Sequence, residues 1–130
     1  MIRQRPLTIV FVMTVTLLLL PPSGLLAAPP DCAGAVSTAE MRSCANAHYQ
    51  EADAELNRVY RQLVAGLSEK GRTQLKAAQQ AWLVFRDKNA AFAAAVTDGT
   101  LAPVVETAEL TTLTRQRIEQ LERYRKEQGH

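Results

Sequence analysis

The spacing of the apolar residues constrains the fold of this chain more than any other feature. From residue 41 onward they recur at steps of three and four, the period of an amphipathic α-helix, and no segment alternates apolar and polar residues as a half-buried strand does. The first stripe consists of Met41, Ala45, Tyr49, Ala52, Leu56, Val59, Leu63 and Leu67. The second consists of Leu75, Ala78, Trp82, Phe85, Phe92 and Val96, and the third of Val105, Leu110, Leu113, Leu121 and Tyr124. The pattern predicts an all-α fold.

Signals for helix ends divide this pattern into three helices. Ser37 and Glu40 have the spacing of a capping box, Gly66 marks the end of the first helix, and Ser68 is a natural N-cap for the second. Residues 97–100, Thr-Asp-Gly-Thr, form a stop signal before the third helix. Because the turn between the first two helices is very short, we expect a long antiparallel helical hairpin with the third helix packed against it. A short dimeric coiled coil is the alternative interpretation of the same periodicity.

The amino terminus has the features of a secretory signal peptide. Arg3 and Arg5 precede an apolar run over residues 7–20, and Ala27 and Ala28 supply small side chains near a cleavage site. The run is shorter than the ~20 residues that cross a bilayer, so we expect cleavage rather than a retained membrane anchor, and no stable membrane insertion afterwards. The mature protein is then secreted or periplasmic. The expected organisation is a cleaved signal over residues 1–27, a Pro-rich leader over 28–36 and a helical domain over 37–127.

Charge and cysteine content argue against several classes of protein. Once Arg3 and Arg5 are removed with the signal, thirteen basic residues balance thirteen acidic ones, so we expect no nucleic-acid partner. Cys32 and Cys44 lie close together in the exported part of the chain, where an oxidising compartment favours a disulfide. A zinc site is disfavoured because the chain has no CxxC motif and only two histidines. We therefore expect neither a metal nor a cofactor.

The sequence does not suggest catalysis. His48 stands alone on the first helix, with no nucleophile and orienting carboxylate recognisable around it. Glu51 and Glu55 are one helical turn apart and are typical of a solvated helix face. Glycoside hydrolysis needs one carboxyl group kept protonated in an apolar pocket, and a thin helical hairpin offers little room for one. These observations argue against an enzyme.

Polar residues accompany the apolar stripes of the first two helices. Asp53, Asn57 and Tyr60 lie on one side of the first helix. Along the second helix the corresponding residues are Gln79, Trp82, Arg86 and Asp87. If the two helices face each other, Asp53 or Asn57 can pair with Arg86, because buried polar groups need partners. We interpret the set as a structural polar lock between helices, with a partner-binding face as the alternative.

The same residues, in the same order, resemble the LprI-type lysozyme-inhibitor domain of bacteria. The first half of the resemblance consists of Cys32, Thr38-x-x-Met41-x-x-Cys44 and Ala52-Asp53-x-x-Leu56-Asn57-x-x-Tyr60. The second half consists of Leu75-Lys76-x-Ala78-Gln79-x-Ala81-Trp82-x-x-Phe85-Arg86-Asp87, Gly99-Thr100-x-x-Pro103 and Leu113-Thr114-x-x-Arg117. Together they cover nearly all of the mature chain. The resemblance implies a small helical domain that is secreted or located in the envelope. It also implies a candidate activity, since at least one member of the family inhibits lysozyme.

One departure from the family pattern concerns its cysteines. The family usually has two further cysteines, at positions that Asn89 and Glu109 occupy here. The resemblance then implies that Cys32 and Cys44 form the remaining disulfide. Because Asn89 falls in the apolar stripe of the second helix, we predict that Glu109 or a nearby backbone group bonds to it. Without the second bridge, the third helix is expected to be held more loosely.

Two functions are compatible with this resemblance. The first is an exported inhibitor that binds and blocks a peptidoglycan-cleaving lysozyme, and the second is a non-enzymatic envelope adaptor or structural binding domain. For the inhibitor, the candidate partner-binding residues are Ser68, Lys70 and Arg72, since basic groups complement the carboxyl groups of a lysozyme cleft. The loop at residues 97–100 is the alternative contact.

Overall fold

A computed structural model describes residues 32–128, so the predicted signal peptide and the first part of the leader lie outside the described residues. Within this range the chain forms α1 over Thr38–Gly66, α2 over Glu69–Ala95 and α3 over Ala102–Gln128, with short 3₁₀ turns at Cys32–Gly34 and Gly99–Leu101. No strand occurs between residues 32 and 128, which confirms the all-α prediction. None of the helices in this range is long and apolar enough to span a bilayer.

The helices begin where the sequence provides caps. The Ser37 hydroxyl accepts the Glu40 N–H at 3.2 Å, and the Glu40 carboxylate accepts the Ser37 N–H at 2.9 Å, so the predicted capping box is present. Ser68 accepts the Gly71 N–H at 3.3 Å and begins α2. Gly99 has a φ of 75°, a left-handed conformation open to glycine, where the chain turns toward α3. The predicted division into three helices is confirmed.

Helix α3 packs along both of the other helices and lies at the centre of the fold. Most of the packing occurs between α1 and α3 and between α2 and α3, whereas the backbones of α1 and α2 approach each other at few positions. The contacts pair the end of α1 with the end of α3, and the start of α2 with the end of α3. Hence α1 and α3 run in the same direction and α2 runs opposite to both. The prediction that a third helix packs against the first two is confirmed.

The hydrophobic core is small and lies mainly between α1 and α3. Leu56, Val59, Leu63 and Leu121 each expose 2% or less of their surface. The partly buried residues around them are Tyr60, Leu67, Leu75, Trp82 and Ile118. Burying an aliphatic side chain of this size stabilises a fold by about 2 kcal/mol. The core thus holds the half of the domain that is nearest the α1–α2 turn.

The apolar stripe of α2 is not buried as a unit. Leu75 and Trp82 lie against the core, whereas Phe85, Phe92 and Val96 expose 54%, 65% and 68% of their surface. Another line of residues, also spaced at three and four, is turned inward instead. It consists of Leu75, Gln79, Trp82, Arg86, Ala90 and Ala93. The side of α2 that faces the interior is therefore partly polar, and Phe85 and Phe92 of the predicted stripe are exposed.

Candidate functional site

A buried guanidinium lies at the centre of the polar residues. Arg86 is only 7% exposed, and its guanidinium carbon lies 5.6 Å from the centre of the Tyr49 ring and 5.3 Å from that of Trp82. Its Nη1 is 3.5 Å from the Asp53 carboxylate, a distance typical of an ion pair rather than a good hydrogen bond, and its Nη2 is 2.9 Å from Asp87. Arg86 thereby ties α2 to α1, whose backbones touch little.

A second guanidinium, that of Arg117 on α3, lies over the same indole. Its carbon is 5.8 Å from the centre of the Trp82 ring, its Nε donates to Gln79 at 3.0 Å, and its Nη1 donates to Gln120. Burial lowers the pKa of the Arg117 guanidinium below its ordinary value. Trp82 is therefore held by one cation from its own helix and one from α3, through cation–π contacts.

The structure brings some of the predicted polar residues together and separates others. Asp53, Arg86 and Asp87 form one ion-paired group. Asn57 donates to the Asp53 carboxylate at 3.1 Å and to its backbone carbonyl at 2.9 Å, so it orients that carboxylate within α1. Tyr60 packs against the apolar core instead. This arrangement joins helices to one another, which favours the polar-lock interpretation over a partner-binding face.

Two residues of this polar centre were missed by sequence reasoning. Tyr49 was assigned only to the apolar stripe of α1, although it lies one helical turn before Asp53 and on the same side. Arg117 is the last residue of the Leu113-Thr114-x-x-Arg117 motif, and its place in that motif could have marked it as part of the polar centre. Both residues pack their side chains on Arg86 or Trp82 from helices distant in sequence.

A disulfide closes the amino-terminal end of the domain. Cys32 and Cys44 are bonded, with Cα atoms 5.9 Å apart, which confirms the predicted bridge. His48 places its Nε2 3.1 Å from the Cys32 sulfur, so it is not isolated as the sequence suggested. These residues line a cavity of about 370 Å³ that α3 completes with Thr111 and Arg115. The two sulfurs and the imidazole lie within 4.8 Å of one another, but thiolates are the form in which cysteine binds metals, and here the sulfurs are joined.

A hydrogen bond joins the two positions at which the resemblance to the family implies a second cysteine pair. Asn89 donates to the Glu109 carboxylate at 2.8 Å, which confirms the predicted pairing. The bond is part-buried and links the second half of α2 to the first half of α3. A hydrogen bond to a charged group contributes about 1.5–3 kcal/mol. That α3 is held more loosely here than a second disulfide would hold it stays a prediction.

The α1–α2 turn that was predicted to bind a partner is exposed, but two of its three side chains have internal roles. Ser68 accepts the Gly71 N–H, and the Arg72 Nε donates to the Leu67 carbonyl at 2.9 Å. Lys70 is exposed and forms no ion pair within residues 32–128. The three predicted residues are all exposed at this turn, and Lys70 alone among them forms no internal side-chain bond within residues 32–128.

An apolar surface runs along the outer side of α2. We call it the α2 outer face and define it by ten exposed residues, of which nine are apolar. They are Ala77, Ala78, Ala81, Val84, Phe85, Lys88, Ala91, Phe92, Ala95 and Val96. Sequence reasoning found this face only in part, because it merged Phe85, Phe92 and Val96 with the inward residues Leu75 and Trp82.

The fold and these contacts define a small all-helical domain with one disulfide. The guanidinium groups of Arg86 and Arg117, which both lie over Trp82, join its helices at the centre. The chain belongs to the LprI lysozyme-inhibitor family, since the family model described as "Lysozyme inhibitor LprI" matches residues 31–121. A relative, an uncharacterized protein of Rhizobium meliloti (strain 1021), is 34% identical over 71% of this chain and 76% of its own. No solved structure matches the chain. The motif resemblance is confirmed, and in general the family acts on a protein partner rather than by catalysis.

Proposed function

We propose that this protein binds a lysozyme and blocks its peptidoglycan-cleaving cleft, acting by binding and not by catalysis. The match of residues 31–121 to the lysozyme-inhibitor family carries the proposal. The polar centre is consistent with it, because Arg86 and Trp82 are engaged in holding helices together and leave the outer surfaces for a partner. The expected partner is a protein, with neither a cofactor nor a nucleic acid involved.

The chemistry of the target explains how a non-catalytic protein can inhibit it. Lysozyme cleaves a glycosidic bond between two carboxyl groups about 5 Å apart, one held protonated and the other ionised. A cation placed beside them pairs with the ionised carboxylate. A surface that fills the cleft also excludes the polysaccharide. Inhibition therefore needs a protruding surface that offers both a cation and enough area to occupy the groove.

The α1–α2 turn is the contact surface proposed from the sequence, through Ser68, Lys70 and Arg72. The exposed ammonium of Lys70 supports it, whereas Ser68 and Arg72 must share or exchange their internal bonds to reach a partner. Replacing Lys70 and Arg72 together by alanine tests this contact. If the turn enters the cleft, the double variant weakens lysozyme binding about tenfold or more.

Export is part of the same proposal. A signal peptide over residues 1–27 directs the chain out of the cytoplasm, and the Cys32–Cys44 bond forms in the oxidising compartments outside it. Lysozyme attacks the cell wall from that side, so the inhibitor is expected in the periplasm or the medium. The mass of the mature protein tests this part, since it should correspond to a chain that begins near residue 28. A protein that keeps its first 27 residues contradicts it.

Calorimetric titration of the oxidised protein with animal-type and goose-type lysozymes tests the central proposal. The expected result is a one-to-one complex with at least one of the two classes, and the absence of a complex with either contradicts it. The exposed α2 outer face favours a protein partner in any case. If the protein instead recovers another envelope protein and no lysozyme, the adaptor alternative replaces the inhibitor.

A further inference from the structure

The α2 outer face is an apolar surface that no other part of residues 32–128 covers. Phe85, Phe92 and Val96 expose 54%, 65% and 68% of their surface, and Val84 exposes 55%. The alanines between them add apolar area without bulk, so the surface is continuous over about three helical turns. Single exposed apolar residues are ordinary, whereas a continuous exposed apolar face on a small protein marks an interaction surface.

Packing within the domain determines which side of α2 faces outward. On the inner side, Arg86 is held by Tyr49, Trp82 and Asp53, and Gln79 accepts a hydrogen bond from α3. Rotating α2 to bury its exposed aromatic rings would break these contacts. It would also leave the buried Arg117 guanidinium of α3 without its α2 partners, Trp82 and Gln79, which is costly. The outward position of the two phenylalanines is therefore a stable property of the fold, and they do not serve the core.

Lys88 is the one charged residue on the α2 outer face. It follows Phe85 by three positions and precedes Phe92 by four, so it lies between the two phenylalanines along the same side of the helix. It forms no ion pair within residues 32–128, and its neighbour Asp87 is bonded to Arg86 at 2.9 Å. The face thus presents one cation framed by two aromatic side chains.

We propose that the α2 outer face is the surface that enters the lysozyme cleft, with Lys88 facing the catalytic carboxyl groups and Phe85 and Phe92 packed against the cleft walls on either side. This inference rests on the proposed function. A helix with anchors at i and i+7 that lies in a groove is a recurring mode of protein recognition. The charges are complementary, because the cleft offers an ionised carboxylate and the face offers a cation. The α1–α2 turn competes for this role with two cations, Lys70 and Arg72, but without comparable apolar area.

Four variants of the full, oxidised protein test the inference by calorimetric titration with the lysozyme that the wild type binds. Phe85→Ala combined with Phe92→Ala removes the apolar anchors, and we expect binding to weaken about 100-fold. Lys88→Ala removes the cation, and we expect a loss of about tenfold, with Lys88→Glu weaker still. Lys76→Ala removes an exposed cation of α2 that lies outside the α2 outer face; it is the matched control, and we expect it to bind within about threefold of the wild type. The turn variant of Lys70 and Arg72 described above measures the competing contact. All the substituted side chains are exposed, and melting curves verify that each variant is folded.

The outcomes separate this inference from the proposed function. If the wild type binds and the α2 variants bind equally well, the α2 contact is wrong while the inhibitor function stands. If the turn variant alone loses binding, the turn is the contact and the α2 face is not. If the wild type binds no lysozyme, both proposals fail. If light scattering shows a dimer that the double phenylalanine variant converts to monomer, a second copy covers the face and the lysozyme contact is overturned.

Discussion

A disulfide introduced at positions 89 and 109 tests how closely this chain keeps the geometry of its family. Asn89 and Glu109 join α2 to α3 by a 2.8 Å hydrogen bond, and the resemblance to the family implies a second cysteine pair at these two positions. Asn89→Cys combined with Glu109→Cys restores that pair. We expect the new thiols to bond to each other without disturbing Cys32–Cys44, because the two helices already hold positions 89 and 109 in contact through their side chains.

The size of the effect follows from the loop that the new bond closes. Positions 89 and 109 are 20 residues apart, and cross-linking a loop of that length stabilises a fold by about 3 kcal/mol through the unfolded state. The variant loses the Asn89–Glu109 hydrogen bond, which offsets about 1.5 kcal/mol of this gain. A net gain of about 1.5 kcal/mol raises the melting temperature of a domain of this size by about 7 °C.

Thermal melting followed by circular dichroism measures the effect, and thiol titration with peptide mapping identifies the bonded pairs. The control is Asn89→Ala combined with Glu109→Ala, which loses the hydrogen bond without gaining a bridge and should melt below the wild type. Two titratable thiols that persist under oxidising conditions would show that positions 89 and 109 are too far apart to be bridged. A bonded variant that melts no higher than the wild type would refute the loop-entropy argument.

Two further predictions concern stability. Replacing Arg86 by Ala leaves a cavity beside Trp82 and breaks the link to α1, so the free energy of unfolding measured with urea should fall by about 3 kcal/mol. Lys88→Ala, which removes an exposed cation two positions away, should change it by less than about 0.5 kcal/mol. The pKa of the Glu40 carboxyl is lowered from 4.5, first by the backbone hydrogen bond of Ser37 and then by its hydroxyl, so its stabilising contribution is present above pH 4.5 and is lost as the pH falls through the lowered value. Melting curves between pH 7 and pH 3 should therefore depend less on pH for Glu40→Gln than for the wild type, and identical pH dependence would contradict the role of the capping box.

Most of the fold could be predicted from the sequence because its helices obey local rules. The Ser37 and Glu40 capping box and the Ser68 cap depend on residues three positions apart, so their chemistry is readable without tertiary structure. The Asn89–Glu109 bond was predictable for another reason. A polar side chain in an apolar stripe must find a partner, and the family pattern indicated which residue that was.

The direction in which α2 faces could not be predicted in the same way. Its aromatic stripe and its polar line have the same helical period, and periodicity alone does not say which of the two turns inward. The answer depends on Tyr49 and Arg117, which meet α2 from other helices and hold Arg86 and Trp82 at the centre. The contact of His48 with Cys32 could not be predicted for a similar reason. Cys32 lies in a 3₁₀ turn before α1, and helical periodicity does not indicate where that turn places it.

If this protein blocks a lysozyme as we propose, it slows the lysis of cell walls, and the rate of that lysis can be measured. The turbidity of a cell-wall suspension is followed in the presence of animal-type or goose-type lysozyme while the oxidised protein is titrated. We expect lysis by at least one lysozyme to slow with dose and to stop near one inhibitor per enzyme. Unchanged lysis by both lysozymes at a large excess of folded, oxidised protein would contradict it.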